Sequence, residues 1–329
     1  MGVPTAFVTG GSGFVGGALI ERLRREGWDV RALARSERAA ERVRELSAEA
    51  VSGDLGDGNA LRDGAEGSEV AFHAAAKVED WGDPADFERL NVHGTQNVIN
   101  ACREAGVRRL VHVGTEAALM AGQPLVNVDE SAPLRPDSPA LYSSSKAKAE
   151  QVVRAANGDG LETVVVRPRF VWGRGDTTLL PAITELVRAR RFRWIGGGRQ
   201  LTDTTHVDNT VEGLWLAATK APAGGVYFVT DGQPVVFREF VTRMLATRGV
   251  TMPNSTVAAG VAGAAALVSE RIWRARKRFD SPPPITRFAV WVSSQECTID
   301  ISRARRELGY APVTSHEEGL AELADGSHE

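Results

Sequence analysis

The stretch that most constrains this chain is Val8-Thr9-Gly10-Gly11-Ser12-Gly13-Phe14-Val15-Gly16. It follows a short apolar run, 5–9, and opens into a helical pattern that continues to about residue 26. Glycines at Gly10, Gly13 and Gly16 keep side chains out of the turn between a strand and a helix. Backbone N–H groups can then approach a pyrophosphate at the positive end of the helix dipole. The spacing Gly11, Gly13, Gly16 also satisfies the dinucleotide fingerprint. In a chain with 34 glycines a triplet alone says little; its place after a strand and before a helix gives it weight. The turn predicts Gly10, Gly11, Ser12, Gly13, Phe14, Val15 and Gly16 as a phosphate cradle.

Further strand and helix patterns alternate behind this turn, which predicts an α/β fold with a doubly wound parallel sheet. Strands are expected at 29–34, 49–52, 69–72, 109–113 and 161–167, with helices at 37–46 and 87–105 between them. The 120–137 segment, rich in Pro, Gly and Asn, reads as a loop. Ser138 and Pro139 then look like the cap and first residue of a helix to about 156. Beyond Pro168 the alternation weakens, helices are expected at 179–190 and 207–219, and 226–229 returns as a strand. The expected division is a dinucleotide-binding domain over 1–170, rejoined by 203–230, and a smaller substrate lobe from 171–202 and 231–329.

With 329 residues, 43% hydrophobic and 25% charged, the chain can bury a substantial core. A net charge of −3 argues against nucleic acid as a partner. The two cysteines, Cys102 and Cys297, show neither disulfide nor metal-ligand spacing, so a reducing, cytoplasmic setting and no bound metal are expected. No signal-peptide pattern precedes the first strand, and no run of 18 apolar residues occurs.

Chemistry-bearing residues fall at strand ends, where a doubly wound sheet places its ligand. Asp54 and Leu55 follow the third strand, where a carboxylate can meet an adenine amino group. The fourth strand runs into His73-Ala74-Ala75-Ala76-Lys77, whose small side chains let a cofactor lie near the backbone. Thr115 follows the fifth strand, where its hydroxyl can orient a carbonyl or alcohol. Tyr142 and Lys146 stand four residues apart on one helix face. A free tyrosine titrates near pH ~10, and an adjacent ammonium is expected to lower that value into the range of a useful acid or base.

These residues together resemble the extended short-chain dehydrogenase/reductases, the NAD(P)-dependent epimerase/dehydratase superfamily. The shared pattern comprises Thr9-Gly10-x-x-Gly13-x-x-Gly16, Asp54-Leu55, His73 to Ala76, Asn91, Thr115 and Tyr142-x-x-x-Lys146. It continues through Arg167-Pro168-x-x-Val171-Trp172-Gly173 and His206-Val207-Asp208-Asn209. The resemblance implies Tyr142 as catalytic acid/base, Lys146 as its electrostatic partner and ribose ligand, and Thr115 as the substrate-orienting hydroxyl. It makes Asn91 a helix-kinking or relay residue. It extends the cofactor contacts to Ala74, Ala75, Ala76, Lys77, Arg167, Pro168 and Val171, and implies a homodimer.

At the end of the second strand an NAD site usually carries a carboxylate, but this chain has Ala34 followed by Arg35, Ser36 and Arg38. Arginine binds a 2′-phosphate that a carboxylate would repel, so NADP is expected over NAD. Thr115 is followed by Glu116 and Ala117 rather than the Asp-Glu pair of sugar dehydratases. Thr202, with Arg199 nearby, replaces the arginine with which sugar-nucleotide epimerases grip a diphosphate. The tail, from Pro282 to Trp291 and Thr298 to Tyr310, resembles the 3β-hydroxysteroid dehydrogenase branch, which includes dihydroflavonol and β-keto acid reductases. The expected activity is interconversion of a secondary alcohol and a ketone on a small hydrophobic substrate. An epimerase with bound NAD and a non-catalytic NADP-binding redox sensor remain as alternatives. Glu116, Ala117, Trp172, Trp194 and His206 are candidate pocket residues, core packing being the other reading of the tryptophans. The small-residue stretch 257–268 runs into Arg271, Arg274, Arg276, Lys277 and Arg278. It reads either as peripheral membrane contact through 257–278 or as a lobe helix with a solvated basic end.

Overall fold

A computed structural model describes residues 3–177 and 179–326. Its centre is a seven-stranded sheet built from β1 (Thr5–Thr9), β2 (Asp29–Ala34), β3 (Glu49–Ser52), β4 (Val70–His73), β5 (Arg109–Val113), β7 (Glu162–Pro168) and the Val226–Val229 strand. The spatial order is Val226–Val229, β7, β5, β4, β1, β2, β3, and every neighbouring pair is parallel. Successive residues point to opposite faces, so the strands feed two cores. Val8, Phe72, Val111, Val164 and Val166 join Leu19, Ile20, Leu23 and Leu214 on one face. Phe7, Leu110 and Val165 join Leu61, Val98, Ile99 and Val153 on the other. Burial on both faces is why these strands read as continuous apolar runs. The chain turns back between β1 and β4, which opens the ligand crevice at the carboxyl ends of those two strands.

The first helix, Phe14–Arg25, ends where Gly27 takes φ +80°, and the next, Glu37–Glu45, starts on a side-chain cap from Ser36. Two sequence expectations need correction. Ser138 and Pro139 do not start the helix that precedes β7: it runs Leu141–Ala155 from an extended Ala140 that has no side-chain cap. The Ser138 hydroxyl instead accepts from Ala140 N within a turn. The 120–137 segment contains a strand, β6 (Leu125–Val128), which exists because Cys297–Ile299 pairs with it from far along the chain.

The expected 87–105 helix is composite: Pro84–Phe87, a π-helical segment Glu88–His93, and Gly94–Glu104. β6 belongs to a second sheet ordered Val235–Val236, Leu201–Thr202, Cys297–Ile299, β6. Two short parallel pairs complete the lobe, Val171–Trp172 with Thr205–His206 and Trp194–Ile195 with Thr256–Val257. Asp231 ties these pieces together. Its carboxylate accepts from Trp172 Nε1 at 2.8 Å, Thr204 Oγ1 at 2.6 Å, His206 N at 2.6 Å and Asn209 Nδ2 at 2.7 Å. Burial raises its pKa, but hydrogen bonds with His316, Thr204, His206 N and Trp172 outweigh it and hold the carboxyl below its usual value. No described helix is long and apolar enough to cross a membrane.

Candidate active site

A cavity of about 870 Å³ begins at the glycine turn and ends between the Arg287–Ser294 and Leu141–Ala155 helices. At the cradle, Gly10 takes φ +78°, and a Cβ there would lie 2.7 Å from Ala75 N. A Cβ on Gly16 would lie 2.1 Å from the Gly10 carbonyl oxygen. Gly13 caps the helix without a side chain, which leaves the N–H groups of the first turn open toward the cavity. This geometry fits a pyrophosphate. Gly11 serves differently: it is buried, and its missing Cβ accommodates Ala32 and Ile20.

Beyond the cradle Arg35, Asp54 and Leu55 line the cavity, whereas Ser36 and Arg38 do not. The Ser36 hydroxyl is committed to Ala39 N as a helix cap. Ala74, Ala75, Ala76 and Lys77 form the middle of the wall. Asn91 clamps this wall from behind: Oδ1 accepts from Lys77 N at 2.7 Å, and Nδ2 donates to Lys77 O at 3.0 Å and Ser145 Oγ at 2.9 Å. It sits in the π-helical segment and is a positioning residue for the loop.

A buried chain of hydrogen bonds locks the same loop. Thr95 spends its proton on Asn91 O at 2.6 Å, so His73 Nε2 must donate to Thr95 Oγ1 at 2.9 Å. His73 Nδ1 then accepts from Thr9 Oγ1 at 2.7 Å, and Thr9 accepts from Ala75 N at 3.4 Å. Burial, helped by the Lys146 charge, holds His73 at about 3, so it stays neutral in this tautomer.

Thr115, Glu116, Ala117, Tyr142 and Lys146 converge at the far end. The Tyr142 ring meets Phe288 edge-on, centroids 5.6 Å apart. The expected lowering of its pKa by Lys146 does not occur. Burial and the Glu116 charge push the phenol above its ordinary value, opposed by a hydrogen bond with Thr115. The Lys146 ammonium is directed to the Val113 carbonyl at 2.8 Å, and burial lowers its pKa to about 8. Thr115 Oγ1 donates to Glu116 Oε2 at 2.8 Å, and the other Glu116 oxygen accepts from Arg169.

Several expected contacts lie elsewhere. Pro168 and Val171 line the cavity, but Arg167 is fully buried against Glu150, with Nε 2.9 Å from Oε2. Trp172 and His206 pack on each other in the lobe core, and Trp194 donates to Pro253 O at 2.8 Å. None of these three reaches the cavity. The apolar end is walled instead by Leu90, Phe170, Leu179, Phe288 and Val292, with Arg169 beside Glu116. Phe288 and Val292 share one face of the Arg287–Ser294 helix, but helical period alone cannot say which neighbour that face meets.

Such a site in such a sheet belongs to the nicotinamide-dependent oxidoreductases of the extended short-chain dehydrogenase/reductase type. Residues 7–259 match the 3-beta hydroxysteroid dehydrogenase/isomerase family, and the chain is a member of it. It is 47% identical over 317 residues to the 4-hydroxy-2-methyl-3-oxo-4-farnesyl-3,4-dihydroquinoline-1-oxide ketoreductase of Stigmatella aurantiaca, covering 96% of this chain and 95% of that one. It is 37% identical to the 2-alkyl-3-oxoalkanoate reductase of Stenotrophomonas maltophilia, covering 97% and 98%. The 3-beta-hydroxysteroid dehydrogenase of Mycolicibacterium neoaurum is 32% identical, covering 98% and 93%. Among solved structures, gox2253 superposes with a TM-score of 0.79 at 29% identity over 98% of both chains. MoeE5, solved with UDP-glucose and NAD, gives 0.74 at 25% identity over 98% of both. The protein is therefore an NAD(P)-dependent oxidoreductase of this family.

Proposed function

We propose that the protein reduces a ketone to a secondary alcohol on an apolar small molecule, with NADPH preferred to NADH. One observation carries the reading: a continuous cavity joins the glycine cradle to Tyr142 and Thr115 and then runs on between Phe170, Leu179, Phe288 and Val292. The names ketoreductase and reductase among its relatives support the reductive direction.

When bound, the reduced cofactor supplies hydride to the carbonyl carbon. Tyr142 keeps its proton at neutral pH, because burial and Glu116 disfavour the phenolate, and it is the acid for the carbonyl oxygen. Thr115 Oγ1, which is hydrogen-bonded to Glu116 Oε2 at 2.8 Å, stands beside the phenol and helps to position it. Lys146, buried on the Leu141–Ala155 helix with its ammonium at the Val113 carbonyl, is the group proposed to meet the ribose hydroxyls. Arg35, which lines the cavity beside Asp54 and Leu55, supports NADP.

An epimerase acting on a sugar nucleotide finds less support. Thr202, at the anchor position, is buried and accepts from Arg169 at 3.1 Å, and Arg199 does not line the cavity. Two further proposals concern partners. The Ala259–Ala275 helix exposes Val261, Val268 and Ile272 ahead of its basic end, which supports contact with an anionic membrane surface, checked by vesicle co-sedimentation. A homodimer is checked by light scattering.

The central test is consumption of NADPH against a panel of steroid, flavonoid and 3-oxo ester ketones. Tyr142→Phe is expected to lower turnover at least ~10²-fold while leaving NADPH affinity within about threefold. Retention of most activity refutes the assignment, and NADPH binding without turnover of any ketone restores the sensor reading.

A further inference from the structure

We infer that His112 is a positioning residue for the cofactor site, holding the Lys146 ammonium so that one N–H is left for the ribose. The inference rests on the reading of Lys146 as ribose ligand and adds a residue to that site. His112 lies in β5, is 1% exposed and does not line the cavity. It stands in register with His73 of β4, the two ring centres 5.3 Å apart. His73 spends one nitrogen on Thr9 and the other on Thr95, so it offers His112 no partner.

What the His112 ring does meet is Lys146. The Lys146 Nζ lies 2.8 Å from the Val113 carbonyl oxygen and 3.5 Å from His112 Nε2. The longer bond is of the kind that tightens once a ligand fills the site. An ammonium only donates, so Nε2 accepts and the proton of the neutral ring sits on Nδ1. Nδ1 is buried and has no hydrogen-bond partner. An unsatisfied buried donor destabilises the fold, and an apolar side chain in its place would avoid that penalty. What the histidine contributes lies at its other nitrogen. A single acceptor lets the lysine head swing about one bond. Two acceptors on β5 fix it, and the third N–H of Lys146 is left for the cavity that the lysine lines.

Few other groups bear on that ammonium. His73 and His112 are kept neutral by burial, helped by the Lys146 charge. Tyr142, one turn earlier on the helix, keeps its proton. Glu150, one turn later, is taken by Arg167 of β7, with Nε 2.9 Å from Oε2. Burial lowers Lys146 to about 8 against the opposing effect of the Glu150 charge. Lys146 is thus the member of this group that changes charge between neutral and alkaline pH. Removing an acceptor from its charged form lowers the pH at which the proton leaves.

The test measures NADPH affinity by calorimetry across neutral and alkaline pH, with Tm and ketone turnover alongside. His112→Leu removes both ring nitrogens. It is expected to keep or raise Tm, since the orphaned Nδ1 goes with the ring, while NADPH affinity at neutral pH falls about tenfold. The pH above which affinity declines, about 8 in the wild type, should fall by roughly one pH unit. His112→Gln, which puts an acceptor where Nε2 stood, should retain the wild-type affinity and pH dependence. His112→Asn is polar but puts its amide where Nδ1 stood; it should behave as His112→Leu does and serves if that variant does not fold. Wild-type NADPH binding by folded His112→Leu or His112→Asn across the pH range overturns the inference. So does a His112→Gln protein as impaired as His112→Leu, or a loss of affinity that comes only with a lowered Tm. The affinity is read without any ketone, so a failure of every ketone to turn over removes the reductase reading and leaves this measurement decisive for His112.

Discussion

The pair Arg167–Glu150 offers the most exposed test of the physical reasoning, because the sequence pattern places Arg167 in the cofactor site and the structure does not. Both side chains are fully buried, with Arg167 Nε 2.9 Å from Glu150 Oε2 and Nη2 on the other carboxylate oxygen. The guanidinium also lies 5.1 Å from the Phe228 ring centre, and its Nη1 has no hydrogen-bond partner. Removing one partner leaves a buried, uncompensated charge, a loss of about 3–5 kcal/mol. For a chain of this size that corresponds to roughly 2 °C per kcal/mol, or a fall in Tm of about 6–10 °C.

Replacing both partners with apolar residues avoids the orphaned charge. The Glu150→Leu/Arg167→Met double variant is therefore expected within about 2 kcal/mol of wild type, far from the sum of its singles. The assay is a double-mutant cycle by urea unfolding, with NADPH affinity measured alongside on the folded variants. A cofactor role for Arg167 predicts that its loss weakens NADPH binding while stability is kept. That result, or single variants within about 1 kcal/mol of wild type, refutes the buried-pair argument.

Three further outcomes follow from the geometry. Gly16→Ala places a methyl 2.1 Å from the Gly10 carbonyl oxygen, so NADPH affinity measured by calorimetry should fall at least ~10-fold as the cradle shifts. Gly260→Ala, whose Cβ meets open space, is the control and should leave affinity unchanged. Arg35→Glu should lower the NADPH-to-NADH ratio of kcat/KM by about 10- to 100-fold, the loss of a charge-assisted bond to the 2′-phosphate; an unchanged ratio removes Arg35 from that role. Lys146, held at about 8 in the fold, binds fewer protons there than in the unfolded chain above that pH. Its contribution therefore makes stability rise from about pH 8 toward the ordinary lysine value near ~10.4. The difference in unfolding free energy between wild type and Lys146→Met should carry that slope, and a flat difference would contradict the burial argument.

Local patterns carried most of the frame. The Asp29–Ala34 and Glu49–Ser52 strands and the Val207–Thr219 helix were legible because periodicity, glycine stops and caps act within a few residues. What failed was non-local. β6 has no strand signal of its own and forms only because Cys297–Ile299 lies beside it. Ser138 and Pro139 carry a helix-start signature that the turn before Ala140 overrides. Trp172, Trp194 and His206 are as apolar or as polar as pocket residues must be, and nothing in their spacing separates a pocket wall from the lobe core.

By itself, the sequence determined the glycine cradle at Gly10 to Gly16 and the succession of strands and helices that makes a parallel sheet. It also set Tyr142 and Lys146 on one helix face, and the resemblance to a known family joined Thr115 to them. Only the tertiary structure decided what surrounds them. It spent Arg167 on Glu150, made Asn91 a clamp on the 74–77 loop, and brought Phe288 and Val292 across to close the pocket. It also reversed the expected shift of Tyr142, because Lys146 turns to the Val113 carbonyl while Glu116 is folded in beside the phenol. Spacing along a chain fixes which groups share a turn or a face, whereas charge pairing and burial depend on which distant segment arrives opposite them.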